Sequence, residues 1–211
     1  MATFSSADIT SWERFYRANF INSLTGFKSV SLIGTTDSNG RTNLGVFSSI
    51  VHIGSDPALV GYINRPRKAA PHTLANIEAT GVYSINHIQA AWLEKAHQSS
   101  AKYPEEVSEF DAVGLTAEFV APFTAPFVKE SPVKYALSLQ EIIPIRLNNT
   151  FLVIGKIEWV KLEGDFLCPD GFIDLQQAGS LCSNGTDSYY HTQAAGRYSY
   201  AKPGIPPQKI A

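Results

Sequence analysis

The stretch of sequence that decides the fold runs from Asn43 to Ile77 and reads NLGVFSSIVHIGSDPALVGYINRPRKAAPHTLANI. It contains an apolar strand, a turn at residues 54–57 (GSDP), a second apolar strand at 58–64, a basic loop and the start of a helix. Tight turns connect antiparallel strands, whereas parallel strands need long crossovers. This part of the chain therefore does not encode a parallel nucleotide-binding sheet.

Further strand patterns flank this stretch on both sides. Residues 28–36 and 42–53 read as two strands around the turn signal at Asp37–Gly40, and further strand patterns occupy 82–88, 115–120, 134–143 and 150–162. Helical patterns lie between the fourth and fifth strands. Six or seven antiparallel strands hide their edges most easily by closing into a β-barrel, although the strand inventory alone leaves a sandwich open. The predicted fold class is therefore mainly β, with peripheral helices.

The two ends of the chain carry their own signals. Thr10 and Glu13 form a capping-box pattern that predicts an amphipathic helix over residues 10–25, covering the end of the sheet. The proline-rich, aromatic tail from about 197 to 211 is expected to lie across a surface. Because no internal repeat or linker interrupts the pattern, we predict a single domain over residues 1–211.

Composition excludes several classes of protein. The 211 residues are 44% hydrophobic and 17% charged, which is typical of a globular domain, and a net charge of −2 argues against a general nucleic-acid binder. No apolar run approaches the roughly 20 residues that span a bilayer, so no membrane association is expected. With no secretory signal pattern and only two cysteines, Cys168 and Cys182, the expected compartment is the cytoplasm.

The central stretch gathers the groups that a phosphate-bearing flavin requires. The pyrimidine edge of a flavin needs hydrogen-bonding groups, its ring needs apolar cover, and its phosphate needs cations, hydroxyls and a helix N-terminus. The candidates, in chain order, are Asn43, Phe47, Ser48, Ser49, Ile50, Arg65, Lys68, His72 and Thr73. Each has a plainer explanation, since serines often cap turns and loop cations are usually solvated. The order of these residues along the chain favours the flavin site.

Other catalytic patterns are weak or missing. His97 shares a predicted helix with Trp92 and Ser100, where it could close over a flavin or receive a nicotinamide, or simply pack. The other histidines show no HExxH arrangement, so no metal site is predicted. The sequence contains no G-x-S-x-G, Walker or G-x-G-x-x-G motif. No obligatory acid or base is predicted, and His97 is the one candidate.

Several ordered segments resemble the flavin reductase-like family with an FMN-binding split barrel. The resemblance spans roughly residues 28–160 and rests on NLGVFSS (43–49), DPALVG (56–61), TLANI (73–77), AHQSSAKYP (96–104), VSEF (107–110), AVGLT (112–116), ESPV (130–133) and VIGKI (153–157). It implies a Greek-key-like antiparallel split barrel and a homodimer with FMN near the dimer interface. In that arrangement Asn43 and residues 47–50 line the isoalloxazine ring, and Arg65, Lys68 and Thr73 hold the phosphate.

The sequence departs from the family pattern at two places. Val46 stands where proline is common, and Ala70-Pro71-His72-Thr73 replaces the family's Lys-Asp-Thr. The phosphate loop is therefore expected to be rebuilt, with His72 as a substitute donor and with His97 and Lys102 as a further cationic region.

The resemblance implies that NADH or NADPH transiently reduces bound FMN, or FAD in its place, with a partner monooxygenase as one acceptor of the electrons. The alternatives are a flavoredoxin-like electron carrier and a pyridoxamine-phosphate-oxidase-type protein, neither with nicotinamide turnover. A β-barrel interaction protein without a cofactor remains a third class.

Overall fold

The computed structural model describes residues 1–210, most of which belong to a strand-rich body with short helices. The strands are β1 (Lys28–Ser29), β2 (Ser31–Thr36), β3 (Thr42–Phe47), β4 (Ile50–Ser55), β5 (Ala58–Asn64), β6 (Val82–His87), β7 (Ala117–Glu118), β8 (Phe127–Val128), β9 (Val133–Ile145), β10 (Thr150–Leu162), β11 (Leu181–Asn184) and β12 (Ser188–His191). The helices are α1 (Ser6–Ser11), α2 (Arg14–Leu24), α3 (Pro71–Thr80), α4 (Leu93–Gln98) and α5 (Glu109–Val113), with a 3-10 turn at Ala90–Trp92 before α4.

Seven strands form one antiparallel sheet in the order β3-β2-β6-β9-β10-β5-β4. The edge strands β3 and β4 are consecutive in the chain, and within residues 1–210 no ladder pairs them with each other. Ser48 and Ser49 connect them across this open seam. The predicted mainly β barrel with peripheral helices is therefore confirmed, whereas the single strand predicted over 42–53 is wrong because the chain passes from one edge of the sheet to the other at Ser48–Ser49.

Two hydrophobic cores lie on opposite faces of the sheet. Successive residues of a strand point to opposite faces, and β2 is buried along its whole length. Leu32 packs in an outer core together with Trp92 and Phe110, whereas Ile33 faces the barrel interior. Strand β2 is thus covered on both sides.

Helix α3 closes the barrel interior. Its Leu74 and Ile77 are fully buried against Tyr62 and Tyr83. A side chain at Gly155 of β10 would collide with the Tyr83 hydroxyl, so a glycine is required where that ring crosses the strand. The apolar face of α3 fixes the position of its N-terminus at the rim of the barrel.

A second sheet, in the order β1-β11-β12, lies outside the barrel. Strand β11 pairs with β1 through Ser29 and Cys182, and Leu181 packs into the outer core. This C-terminal hairpin was not predicted from the sequence.

The helix predicted over residues 10–25 is two helices. Trp12 adopts an extended conformation between them, and the capping box forms at Ser5 and Asp8 rather than at Thr10 and Glu13. The Glu13 carboxylate instead caps α2 by accepting from the amides of Phe15 and Tyr16. No residue of α1 or α2 is buried, so neither helix contributes to the hydrophobic cores.

The C-terminal tail is tied to the surface at its start. The Arg197 guanidinium lies over the Phe172 ring at 3.9 Å and pairs with Asp170. Farther along, the amide of Ser199 donates to the carbonyl of Gln208 at 2.8 Å. The predicted tail extends to residue 211, which lies outside the described residues.

His87 makes stability depend on pH. Its Nδ1 lies 3.0 Å from Ser180 Oγ, and burial lowers its pKa from 6.5 to about 4. Between these two pKa values the unfolded chain binds more protons than the folded chain, so stability should fall as pH drops from about 6.5 toward 4.

We expect a loss of about 2–3 kcal/mol in the free energy of unfolding between pH 7 and pH 4.5, measured by urea titration, and a much smaller loss for His87→Gln. His52→Gln, which alters an exposed histidine, should behave like the parent, and a His87→Gln protein with the parental loss would contradict this assignment.

Candidate functional site

A cavity of about 700 Å³ opens between the N-terminus of α3, the β3–β4 seam, the loop after α4 and the β11–β12 hairpin. All of the predicted site residues line it except Ile50 and His97; they are Asn43, Phe47, Ser48, Ser49, Arg65, Lys68, His72, Thr73 and Lys102. The separate segments that were predicted from the sequence to form the site therefore line the same cavity.

One end of the cavity is suited to an anion. Helix α3 begins at Pro71 without a side-chain cap, so its first amide groups lack the usual capping acceptor. Arg65 and Lys68 line the same end, and neither has a carboxylate partner within residues 1–210. Arg67 differs from them, because it pairs with Glu78 (Nη1–Oε2 2.7 Å) and lies over the Phe151 ring at 5.0 Å. The loop thus divides its cations between the cavity and the outer surface.

Asn43 organises this anion-binding end of the cavity. Its buried amide donates to Thr73 Oγ1 at 3.1 Å and to Thr35 Oγ1 at 3.3 Å. Because Thr73 Oγ1 accepts from Asn43, its own hydrogen remains available for a ligand. Asn43 therefore lies beside the helix start and on the cavity wall, and its contact with an isoalloxazine ring stays a prediction.

The other end of the cavity is a slot beside the seam. The Phe47 ring meets the Tyr62 ring edge-on at a centroid distance of 5.0 Å. The Ser49 carbonyl accepts from the Ile63 amide at 3.0 Å, and both Ser48 and Ser49 line the cavity. Ile50 does not line the cavity, because its side chain packs against the barrel core.

Glu109 is the single carboxylate on the cavity wall among the described residues. Its Oε2 accepts from the Leu44 amide at 2.9 Å, and the side chain is buried. Burial raises the pKa of this carboxyl above its usual value, while the Leu44 amide and the charge of His72 act in the opposite direction. Glu109 was not among the predicted site residues, although it lies in the segment VSEF (107–110) that resembles the family.

The far wall contains residues of the β11–β12 hairpin that no motif identified. Ser183, Gly185, Thr186 and Tyr189 of the β11–β12 hairpin line the cavity. The loop after α4, residues 99–103, faces the same space.

His97 lies behind this far wall rather than in the cavity. Its Nδ1 is 2.8 Å from the Tyr189 hydroxyl, and its ring is exposed. His97 does not line the cavity itself but contacts Tyr189, which does, and its role toward a bound flavin stays a prediction.

Within residues 1–210, no three His, Cys, Asp or Glu side chains come together as a metal site, and none of the helices has the length and hydropathy of a membrane span.

Comparison with known proteins gives consistent matches. The model of the family described as "Flavin reductase like domain" matches residues 25–169. A flavin reductase-type protein with a split barrel domain from Shewanella frigidimarina NCIMB 400 is 46% identical, with a TM-score of 0.92 over 95% of this chain and 100% of that chain.

Two more distant structures share the fold. Nitrilotriacetate monooxygenase component B from Bacillus cereus is 15% identical, with a TM-score of 0.81 over 93% of this chain and 98% of that one. The flavoredoxin of Desulfovibrio vulgaris (Miyazaki F) is 23% identical, with a TM-score of 0.70 over 85% and 92%.

The Asn43 network should be measurable as stability. Asn43→Ala removes both amide hydrogen bonds and leaves the buried Thr73 hydroxyl without this donor, whereas Thr35 keeps its bond from Asn76. We expect a loss of about 1–3 kcal/mol in the free energy of unfolding. Urea denaturation measures it. Asn22→Ala is the matched control, because the Asn22 amide bonds only to the Ala18 carbonyl in its own helix, and its loss should stay within about 0.5 kcal/mol. Equal losses in the two variants would show that Asn43 does not organise the site.

Proposed function

Since the chain belongs to the flavin reductase-like family, we propose that it binds FMN in the described cavity and acts as an NAD(P)H-dependent flavin reductase. The observation that carries this proposal is the pairing of two unlike ends in one cavity. At one end lies an uncapped helix start with two cations that have no carboxylate partner among residues 1–210, and at the other lies a slot with two serines beside an aromatic ring.

The cation-lined end of the cavity fits a phosphate. Helix N-termini favour anions through their free amides and the helix dipole. Arg65 and Lys68 would add charge-assisted hydrogen bonds, and the Thr73 hydroxyl would donate a further one. His72, at the second position of the helix, would supply its amide and its ring to the same group.

The slot fits a flat ring with a polar edge. Ser48 and Ser49 would hydrogen-bond to the pyrimidine edge of the isoalloxazine, where donors favour added negative charge. Phe47 would cover part of the ring system. Bound FMN, or FAD in its place, would supply the chemistry of accepting a hydride from NADH or NADPH and passing the electrons on. The protein would orient the cofactor and exclude water, and no residue is assigned as an acid or base.

A flavin-binding electron carrier without nicotinamide turnover is the second candidate, together with a pyridoxamine-phosphate-oxidase-type protein. The similarity in fold to a flavoredoxin supports the carrier. The similarity in fold to a monooxygenase component supports a partner monooxygenase as the acceptor for a reductase. The cytoplasm is the proposed compartment, supported by two cysteines that are free thiols.

The first test is optical. The purified protein, supplied with FMN and freed of excess flavin, should be yellow, and NADH or NADPH should bleach it under anaerobic conditions. A yellow protein that neither donor bleaches, although dithionite does, favours the electron carrier. A colourless protein that takes up no added FMN would contradict both flavin functions.

The second test concerns the basic loop. Arg65→Ala and Lys68→Ala should each weaken FMN binding by about tenfold to a hundredfold, because each removes a charge-assisted hydrogen bond to the phosphate. Fluorescence titration measures this affinity. Arg67→Ala is the matched control in the same loop and should leave FMN affinity nearly unchanged, because Arg67 is engaged by Glu78.

Riboflavin, which lacks the phosphate, separates phosphate recognition from general damage to the cavity. It should bind the parent, Arg65→Ala and Lys68→Ala proteins about equally. If the two variants keep the parental affinity for FMN, the loop is a solvated turn and the proposed phosphate site is wrong.

The third test addresses assembly. We propose a homodimer, supported by the edge strand β4, where Val51 and Ile53 are 50% and 40% exposed beside unpaired backbone groups. Light scattering should give twice the 23.0 kDa chain mass, and Val51→Lys should shift the protein toward monomer. A parent protein that is monomeric with bound flavin would refute the dimer.

A further inference from the structure

The N-terminal arm, residues 1–27, contributes no residue to the hydrophobic cores of its own chain. It meets its own body where Asn22 lines the cavity and where the Phe27 ring lies edge-on to Tyr190, at a centroid distance of 4.9 Å. Helices of six and eleven residues are marginal in water without tertiary packing. The arm therefore needs a further surface to hold it in place.

The aromatic face of the arm lies opposite the residue that lines the cavity. Tyr16, Phe20 and Leu24 follow each other at intervals of four residues, so they form one stripe along α2. Asn22 lies two residues from both Phe20 and Leu24, which places it on the other side of the helix. The Trp12 ring packs edge-on against Tyr16 and Phe20, with centroid distances of 5.1 and 5.0 Å. The side of α2 that faces away from the cavity is therefore a packed aromatic surface.

The exposed apolar area of the arm matches one side of a dimer interface. Between residues 4 and 27, six large apolar side chains are 42–69% exposed, namely Phe4, Phe15, Tyr16, Ile21, Leu24 and Phe27. At roughly 200 Å² for each fully exposed side chain, they present roughly 700 Å² of surface. A standard protein–protein interface buries about 800 Å² on each partner. The arm alone thus supplies close to the area that one partner of a stable complex buries.

The base of the arm continues onto the edge strand β4. Ser29 follows the arm in β1, and its hydroxyl donates to the carbonyl of Ile50, at the start of β4, at 3.3 Å. Along β4, Val51 and Ile53 expose apolar side chains at the edge that supports the proposed homodimer.

The charge of the arm also favours a second copy of the chain as its partner. The arm carries two acidic and two basic side chains, so it lacks the excess of Lys and Arg by which helices bind anionic membrane surfaces. An apolar face without net charge, continuous with an open sheet edge, fits the same face and edge of another copy.

We propose that the arm of each subunit packs against a second copy of the chain, and that this contact holds α2 in place as a wall of its own cavity. The cavity is then complete only in the dimer, because the contact outside α2 fixes Asn22 on the inside. The inference rests on the proposed function, in which the cavity holds FMN and the β4 edge joins two copies. By linkage, each FMN bound should strengthen the dimer by the factor by which the dimer strengthens FMN binding.

The first measurement uses the parent protein alone. Sedimentation equilibrium gives the dimer dissociation constant, and fluorescence titration gives FMN affinity at protein concentrations below and above it. The FMN dissociation constant of the monomer should be at least about fivefold higher than that of the dimer, because the monomer lacks a fixed wall at Asn22. Saturating FMN should lower the dimer dissociation constant correspondingly.

Two variants place a charge on the exposed stripe of α2. Tyr16→Lys and Leu24→Lys should each raise the dimer dissociation constant by about tenfold to a hundredfold, because an apolar side chain between the subunits is lost. FMN affinity should fall with them at low protein concentration and return at a concentration that restores the dimer. Neither residue belongs to a hydrophobic core, so the barrel itself should fold as in the parent.

Tyr200→Lys is the matched control for these variants. Tyr200 is 90% exposed in the C-terminal tail, away from the arm in sequence, and its replacement by lysine makes the same chemical change as Tyr16→Lys. It should alter neither the dimer dissociation constant nor FMN affinity.

The outcomes separate the arm from the dimer and from the flavin. Arm variants that keep the parental dimer, although Val51→Lys dissociates it, overturn the arm contact and leave the homodimer standing. Dissociated variants that bind FMN as tightly as the parental dimer overturn the coupling. A parent that dimerises through the arm but takes up no FMN supports the arm contact and refutes the proposed function. A monomeric parent overturns the proposal, and loss of binding to phosphatidylserine-containing vesicles in the arm variants would then identify a membrane surface as the partner.

Discussion

The buried amide of Asn43 is the contact on which the site depends. It joins strand β3 to the start of α3 through Thr73 and to β2 through Thr35. The apolar side of the same helix closes the barrel with Leu74 and Ile77. The same packing that buries helix α3 therefore also positions its free amides. The anion-binding end of the cavity forms when this helix closes the barrel.

The open seam explains why the cavity lies where it does. In a fully paired barrel, β3 and β4 would share a ladder and the wall would be continuous. Here they are the two edges of one sheet, so the Ser48–Ser49 connection leaves a gap beside α3. The outer core and the hairpin cover one side of that gap, and the basic loop covers another. Each wall is supplied by a different part of the chain.

Local patterns predicted most of the strands and the residues near the seam, because strand periodicity, turns and a helix start are encoded within a few neighbouring residues. Local patterns did not predict the parts of the structure that depend on contacts between residues far apart in the chain. The β11–β12 hairpin depends on pairing with β1, about 150 residues earlier in the chain, and no motif carries that information. His97 was placed on the correct helix, but its orientation depends on Tyr189. The helix predicted over 10–25 divides because Glu13 caps forward onto α2.

The buried carboxylate of Glu109 would couple ligand binding to proton uptake from the solvent. It shares the cavity with the cations that would hold a phosphate, and its pKa is already raised by burial. A dianion placed in the same cavity disfavours its charged form further. Association would then draw protons from the medium whenever the pH lies near that pKa. The heat of association would accordingly depend on the ionisation enthalpy of the buffer, and cofactor retention would be greater in a more acidic medium.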